Sequence, residues 1–232
     1  MENLVLKIST QSATFRIPEF QNFHKSFMLP PPTTIIGLIG AALGLSPKAA
    51  QRFFNENDFK IGVAGTSKGK AKDLWKYNDF KNGSIIKKEV LFHSEFVIVI
   101  HGDNPKIEEL RKAFSYPVYA LTLGNSDSLA KVKIVNDFTV TESDELENCI
   151  VAGNIAGEVL ENISNGLPFS IYSKAEQTIY EMPTRFDYES DYGVRRVVKR
   201  KLFSIIGRKM KLNLKLSGIT VDEQFVPYFS LE

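Results

Sequence analysis

The chain has 232 residues, 43% of them hydrophobic, and 29 Lys and Arg against 27 Asp and Glu leave a net charge of +2. That length predicts one large domain or two small ones with enough apolar residues for a packed core. Its single cysteine, Cys149, excludes an intramolecular disulfide and a cysteine-cluster metal site, and the longest apolar run, Ile35 to Leu45, is too short to span a bilayer. The start MENLVLKIST lacks the basic-then-apolar layout of a signal peptide. The expectation is a cytoplasmic chain without membrane contact.

In chain order, LVLKISTQSATF alternates as a first strand. LPPPTTIIGLIGAALG (29–44) predicts a helix entry: Pro30 to Pro32 hold the chain extended, and Thr33 or Thr34 caps the first free N–H groups. Gly37, Gly40, Ala41 and Gly44 recur at helical spacing and share a face. Each glycine weakens a helix by roughly 1 kcal/mol against alanine, so this small face is expected to press on the sheet, with a phosphate at the helix N-terminus as the sharper reading. PKAAQRFFN resumes the helix from Pro47. FKIGVAG (59–65) and VLFHSEFVIVIHG (90–102) read as the second and third strands.

NPKIEELRKAFS (104–115) is a helix capped by Asn104 and opened by Pro105, with Ile107, Leu110 and Phe114 on one face. LAKVKIVNDFTV (129–140) is strand-like. The order β-α-β-β-α-β predicts an α+β, ferredoxin-like domain, the order that RNA-recognition sheets also use. The connection at 66–88 is far longer than a hairpin turn. It interleaves lysines, among them Lys68, Lys70 and Lys76, with Trp75, Tyr77 and Phe80, and reads as an extended hairpin arm suited to phosphate contact and base stacking. From Phe169 onward the chain is β-rich, with strands expected over 169–186, 194–205 and 210–221, and QFVPYFSLE closes a strand or hangs as a tail. Domain limits are set at 1–141 for the ferredoxin-like part and 142–232 for an acidic connector with a β-rich basic extension.

The small net charge hides a segregation. Ile134 to Ser173 holds no Lys or Arg, whereas Gly193 to Thr220 holds no Asp or Glu and carries Arg195, Arg196, Lys199, Arg200 and Lys201 among its cations. Together with the basic 68–88 stretch this points to a polyanion partner. GTSKGKA (65–71) misses the phosphate-loop pattern, which needs four residues between its glycines and Ser or Thr after the lysine. HExxH and GxSxG are absent, and His24, His93 and His101 lack metal-ligand spacing. No cofactor or metal is expected. His24 and Lys25, in the polar FQNFHKSF loop, keep open a metal-free RNA cleavage site built from His, Tyr and Lys.

ATFRIPEF, LPPPTTIIGLIGAALG and YPVYALTLGNSDSLAKV (116–132) together resemble the Cas-five family of CRISPR-associated RAMP proteins. The Pro-Thr-Thr-hydrophobic-Gly helix entry is the most specific mark, the SYPVYALTLGNSDS segment the second. They cover roughly the first 135 residues.

The resemblance implies a modified RRM domain with a β-hairpin thumb, here 66–88, in a subunit of the type I surveillance complex Cascade. There it caps the 5′ handle of the CRISPR RNA beside a backbone subunit and a large subunit, and meets target DNA only through the complex. By the resemblance the handle would be surrounded by Arg16, His24, Lys25, Ser26, Thr33, Thr34 and the turn through Leu123, Gly124, Asn125 and Ser126. The candidate RNA-binding set adds Tyr116, then Lys68, Lys70, Trp75 and Lys76 from the arm, and Arg195, Arg196 and Lys201 from the basic C-terminal part. The helix entry looks closer to non-cleaving branches such as types I-B and I-A, which makes binding the leading reading. A metal-independent endoribonuclease of repeat RNA is the alternative, and a ferredoxin-like RNA-binding regulator outside CRISPR immunity the third.

Overall fold

β1 (Glu2–Ala13) supplies apolar side chains to both faces of a sheet: Leu4, Leu6 and Ile8 enter one buried cluster and Val5 another. The computed structural model describes residues 1–78, 83–155 and 177–231. After β1 come β2 (Phe23–His24), α1 (Pro32–Leu43), α2 (Pro47–Asn55), β3 (Lys60–Asn78), β4 (Gly83–Gly102), α3 (Asn104–Ser115) and β5 (Ala130–Val135). β6 (Thr139–Leu146), β7 (Cys149–Ala152), β8 (Gln177–Tyr188), β9 (Arg195–Ile206), β10 (Met210–Val221), β11 (Gln224–Pro227) and β12 (Phe229–Ser230) complete the described chain. Phe80, the later part of the stretch without Lys or Arg and the first part of the strand expected from Phe169 lie outside the described residues.

The main sheet runs β5-β1-β4-β3-β7-β9-β8. Its first four members, with α1 and α3 as crossovers, have the ferredoxin-like order. β7, β9 and β8 extend the same sheet beyond β3. A smaller antiparallel sheet, β11-β10-β6, covers one face, where Ile219, Val221 and Val226 meet Val5, Ala64 and Val99. The helices cover the other, where Ile35, Ile39, Ile107 and Leu110 pack with Leu6, Ile61 and Ile98. Neither α1 nor α2 alone is long and apolar enough to cross a membrane, and their axes differ by 108°.

Several expectations change. The cap of α1 is Pro31, with no side-chain cap bond, and Pro32 opens the helix. Proline suits that place because its missing N–H is one the first turn leaves unpaired in any case. Thr33 and Thr34 therefore stand inside the first turn. The cap of α3 is Asp103, one residue before Asn104, again without a side-chain bond.

The small face of α1 does not press on the sheet. A Cβ at Gly40 would come 2.6 Å from Cβ of Ala50, on α2, so the close approach is between two helices. Gly44 is the left-handed C-cap (φ 74°) that stops α1, with Val118 against it. α2 is a separate helix whose cap Ser46 accepts a bond from the Ala49 N–H (3.2 Å). Gly40→Leu is expected to cost about 1–3 kcal/mol through overpacking against Ala50, read as a fall in the thermal unfolding midpoint. An unchanged midpoint would show that α2 yields without cost.

The strand expected over 129–140 is two. β5 ends at Val135, and after Asn136 and Asp137, residues suited to turns, β6 leaves for the smaller sheet. β3 and β4 continue far past the expected 59–65 and 90–102, paired antiparallel from Lys60↔His101 to Asn78↔Gly83. Residues 71–76 on this arm are exposed. QFVPYFSLE contains β11 and β12, and β12 pairs with β3.

Candidate nucleic-acid interface

Where the arm leaves the sheet, three chain segments meet. The first is the turn back from β1. Arg16 and Ser26 form an antiparallel bridge, the Phe15 N–H donates to Ser26 Oγ (2.9 Å), and the Ile17 N–H donates to the Lys25 carbonyl (2.8 Å). β2 then runs parallel to the arm, pairing Phe23 with Lys87 and His24 with Lys88. The Ser26 N–H donates to Glu89 Oε2 at 2.9 Å, which fixes this loop to β4.

The second segment is the turn around Gly124. The Thr14 N–H donates to the Leu123 carbonyl (3.2 Å) and the Ser128 N–H to the Asn125 carbonyl (3.1 Å). Gly124 has φ 99°, and the Thr14 carbonyl occupies the place a Cβ would take. Only glycine meets both conditions.

The third segment is the arm itself. Lys88 is only 7% exposed, unusual for a lysine. Its Nζ lies 4.1 Å from the centre of the Trp75 ring and donates to Asn125 Oδ1. The Trp75 indole N–H donates to Asp73 Oδ2 at 2.8 Å, so this tryptophan packs on the base of its own arm. Burial draws the Lys88 pKa below the usual lysine value; Asp127 and Asp73 partly restore it, and Arg16 lowers it further. The imidazole of His24 is likewise held below its usual pKa, by burial first and then by Arg16 and Lys88.

Arg16, His24, Trp75 and Asn125 are thus gathered around Lys88, and Ser26 is fixed to the neighbouring Glu89. Lys25 caps the Phe20 ring at 5.4 Å, and Lys70 reaches Glu89 Oε1 at 3.8 Å. Lys68 and Lys76 are exposed along the arm, and Ser126 is exposed in the Gly124 turn. Tyr116 is exposed at the end of α3. Thr33 and Arg195 line a different cavity, between α1 and the β8–β9 hairpin. Arg196 pairs with Glu189 at 3.4 Å, and Lys201 Nζ lies 3.5 Å from the Ser230 carbonyl. Arg200 reaches Glu19 Oε1 at 3.5 Å, which ties β9 to the loop before β2.

Sequence reasoning counted Lys88 only as one more lysine in a basic run. The available signal was its place in KKEVLF, where a strand pattern begins and a lysine takes an inward position. Among the described residues no three His, Cys, Asp or Glu side chains are grouped to hold a metal ion.

Fold and site define an α+β protein whose ferredoxin-like sheet carries a cationic arm over a polar cradle. The chain belongs to the Cas5 family: the family model described as "CRISPR-associated protein (Cas_Cas5)" matches residues 3–198. No curated protein matches the sequence. Among solved structures, a chain described as "CRISPR RNA-guided surveillance complex" is similar at 12% identity, with a TM-score of 0.54 over 89% of this chain and 90% of that one. A second, "Cryo-EM structure of the Type III-B Cmr-beta bound to cognate target RNA and AMPPnP, state 1", has 13% identity and a TM-score of 0.48 over 89% and 86%. A third, "Crystal structure of Cas protein", has 14% identity and 0.45 over 91% and 95%. The first of these likenesses supports the fold.

Proposed function

We propose that this Cas5-family chain is a non-catalytic subunit of a type I CRISPR surveillance complex, where it binds and caps the 5′ handle of the CRISPR RNA. The observation that carries the reading is Lys88, a nearly buried cation flanked by Arg16, His24 and Asn125 at the root of the arm. A largely buried cation held by a hydrogen bond to Asn125 and by the Trp75 ring is pre-organised for a phosphate, since its ordering cost is met before the ligand arrives. The arm acts as the thumb, laid across the RNA and against the neighbouring backbone subunit. The large subunit docks alongside, and target DNA is met only through the complex.

Binding of handle RNA by the purified chain is expected to weaken steeply with salt, by about 0.7 log units per tenfold salt for each phosphate neutralised. A flat salt response would overturn the reading.

One observation favours a second reading as a metal-independent endoribonuclease. His24 lies beside Arg16 and Lys88, and burial together with these two cations favours its neutral imidazole. A neutral imidazole accepts a proton from a 2′-hydroxyl, and cations steady charge growing on the phosphate. Repeat RNA incubated with the chain and EDTA is expected to stay intact. Cleavage that His24→Ala abolishes would replace the non-catalytic reading with this one.

A further inference from the structure

Of the three glycines on α1 and its cap, packing explains two. Gly40 meets Ala50 and Gly44 meets Val118, but a Cβ at Gly37 would meet nothing within 4 Å. A mid-helix glycine is less stable than alanine, and the fold gives no return for this one. Gly37 lines a cavity of about 310 Å³ between α1, α2 and the β8–β9 hairpin. Its other walls include Tyr119, Phe186, Tyr188, Tyr192 and Arg195. The Arg195 guanidinium lies 4.5 Å from the centre of the Phe186 ring. Tyr192 is 76% exposed and Tyr119 52% exposed, so much of this aromatic surface is uncovered. Among the described lining residues Arg195 is the one charged side chain.

We propose that this cavity receives one unstacked nucleobase of single-stranded RNA, stacked on the tyrosine rings, with Arg195 facing the adjoining phosphate. The inference rests on the reading of the chain as an RNA binder and adds a contact apart from Lys88. Single strands are held by splaying bases onto aromatic faces and guanidinium planes. A flat base reaching a helix needs bare backbone, which a glycine provides. A protein side chain would fit the same walls, but a stacked guanidinium in a cavity without a carboxylate favours a flat ligand that carries an anion.

The test compares the full-length parent with Gly37→Leu, Tyr192→Ala and Lys88→Met. The probe is a short single-stranded RNA carrying 2-aminopurine at each position in turn. In the parent, fluorescence is expected to be quenched at one position inserted among the rings. Gly37→Leu is expected to abolish that quench and weaken binding about 5- to 150-fold, the range of base–aromatic stacking. Its unfolding midpoint should hold or rise, because leucine is the better helix former and its Cβ enters open space. Tyr192→Ala should remove the quench at the same position.

If the parent binds RNA and Lys88→Met weakens it while both cavity variants bind and quench like the parent, the cavity proposal is overturned and the RNA-binding reading stands. If the parent does not bind RNA, both fall. Cavity variants that keep RNA affinity and quench yet lose a co-purifying subunit would make this a protein-docking surface, which also overturns the proposal.

Discussion

Replacing residues 76–85 with an Asn-Gly turn is expected to leave a folded chain that no longer enters the surveillance complex. The cut follows the ladder: Trp75 faces Ile86 across the arm, so the two strands rejoin in register, and Asn-Gly suits a two-residue hairpin turn. A cut at 68 and 86 would leave Ser67 leading into Lys87, whereas Ser67 pairs with Ser94 and Lys87 with Leu74. The described arm residues contribute little to the core. Lys76 is exposed and Ile85 is 72% exposed, while the buried parts of β3 and β4 lie at Ile61 to Ala64 and Val90 to Ile100. The unfolding midpoint of the truncated chain should therefore stay close to the parent's. The retained Trp75, Lys88 and Asn125 keep the cradle, so free RNA should still bind, with a smaller salt slope from the loss of Lys76 and Lys81. Exclusion from the complex would then follow from losing the grip on RNA and on a neighbouring subunit proposed for the arm. Normal incorporation would contradict a thumb role for the arm, and an unfolded circular dichroism spectrum would assign it to the core.

Local pattern and long-range placement differ in how far the sequence reveals them. α3 was legible because Ile107, Leu110 and Phe114 repeat at helical spacing and all three are buried. The sheet strands were legible where apolar residues alternate. The arm was legible as a hairpin from its length and composition, but its register was not, because residues 71–76 are all exposed and leave no buried face to read. Capping failed at α1 for a clear reason. Thr33 and Thr34 have good capping side chains, but Pro32 is already suited to the first helical position, so the boundary falls ahead of them. Whether Gly40 faced sheet or helix was equally hidden, since a small residue records a close neighbour without naming it. The cradle posed the same problem. Arg16, Lys88 and Asn125 come from three distant segments, and only the turn at Gly124 and the bridge from Arg16 to Ser26 bring them together. Charge segregation marked the β9 cations, yet Arg196 and Arg200 have carboxylate partners, which no count of charges shows.

Lys88→Met is expected to lower affinity for handle RNA about 10- to 100-fold while the chain stays folded. Methionine keeps a long unbranched stem, and its thioether packs well against an aromatic ring such as Trp75. Removing the charge takes away a bond to Asn125 but also relieves a cation that burial disfavours. These two effects oppose, so stability should change by no more than about 1–2 kcal/mol. Binding has no such offset. A charge-assisted bond to phosphate is worth roughly 1.5–3 kcal/mol, and the salt slope should drop by about 0.7 as one contact is lost. Lys88→Glu should behave differently. A carboxylate placed there would face Asp73 and Asp127 next to Glu89 with little solvent, and the chain should lose both its melting midpoint and its RNA affinity. The pair of variants separates the two roles the geometry allows. If the methionine variant binds with unchanged affinity and slope while the glutamate variant melts early, Lys88 serves to fasten the arm to the Gly124 turn, and the phosphate contact must come from the exposed Arg16 or Lys70 instead.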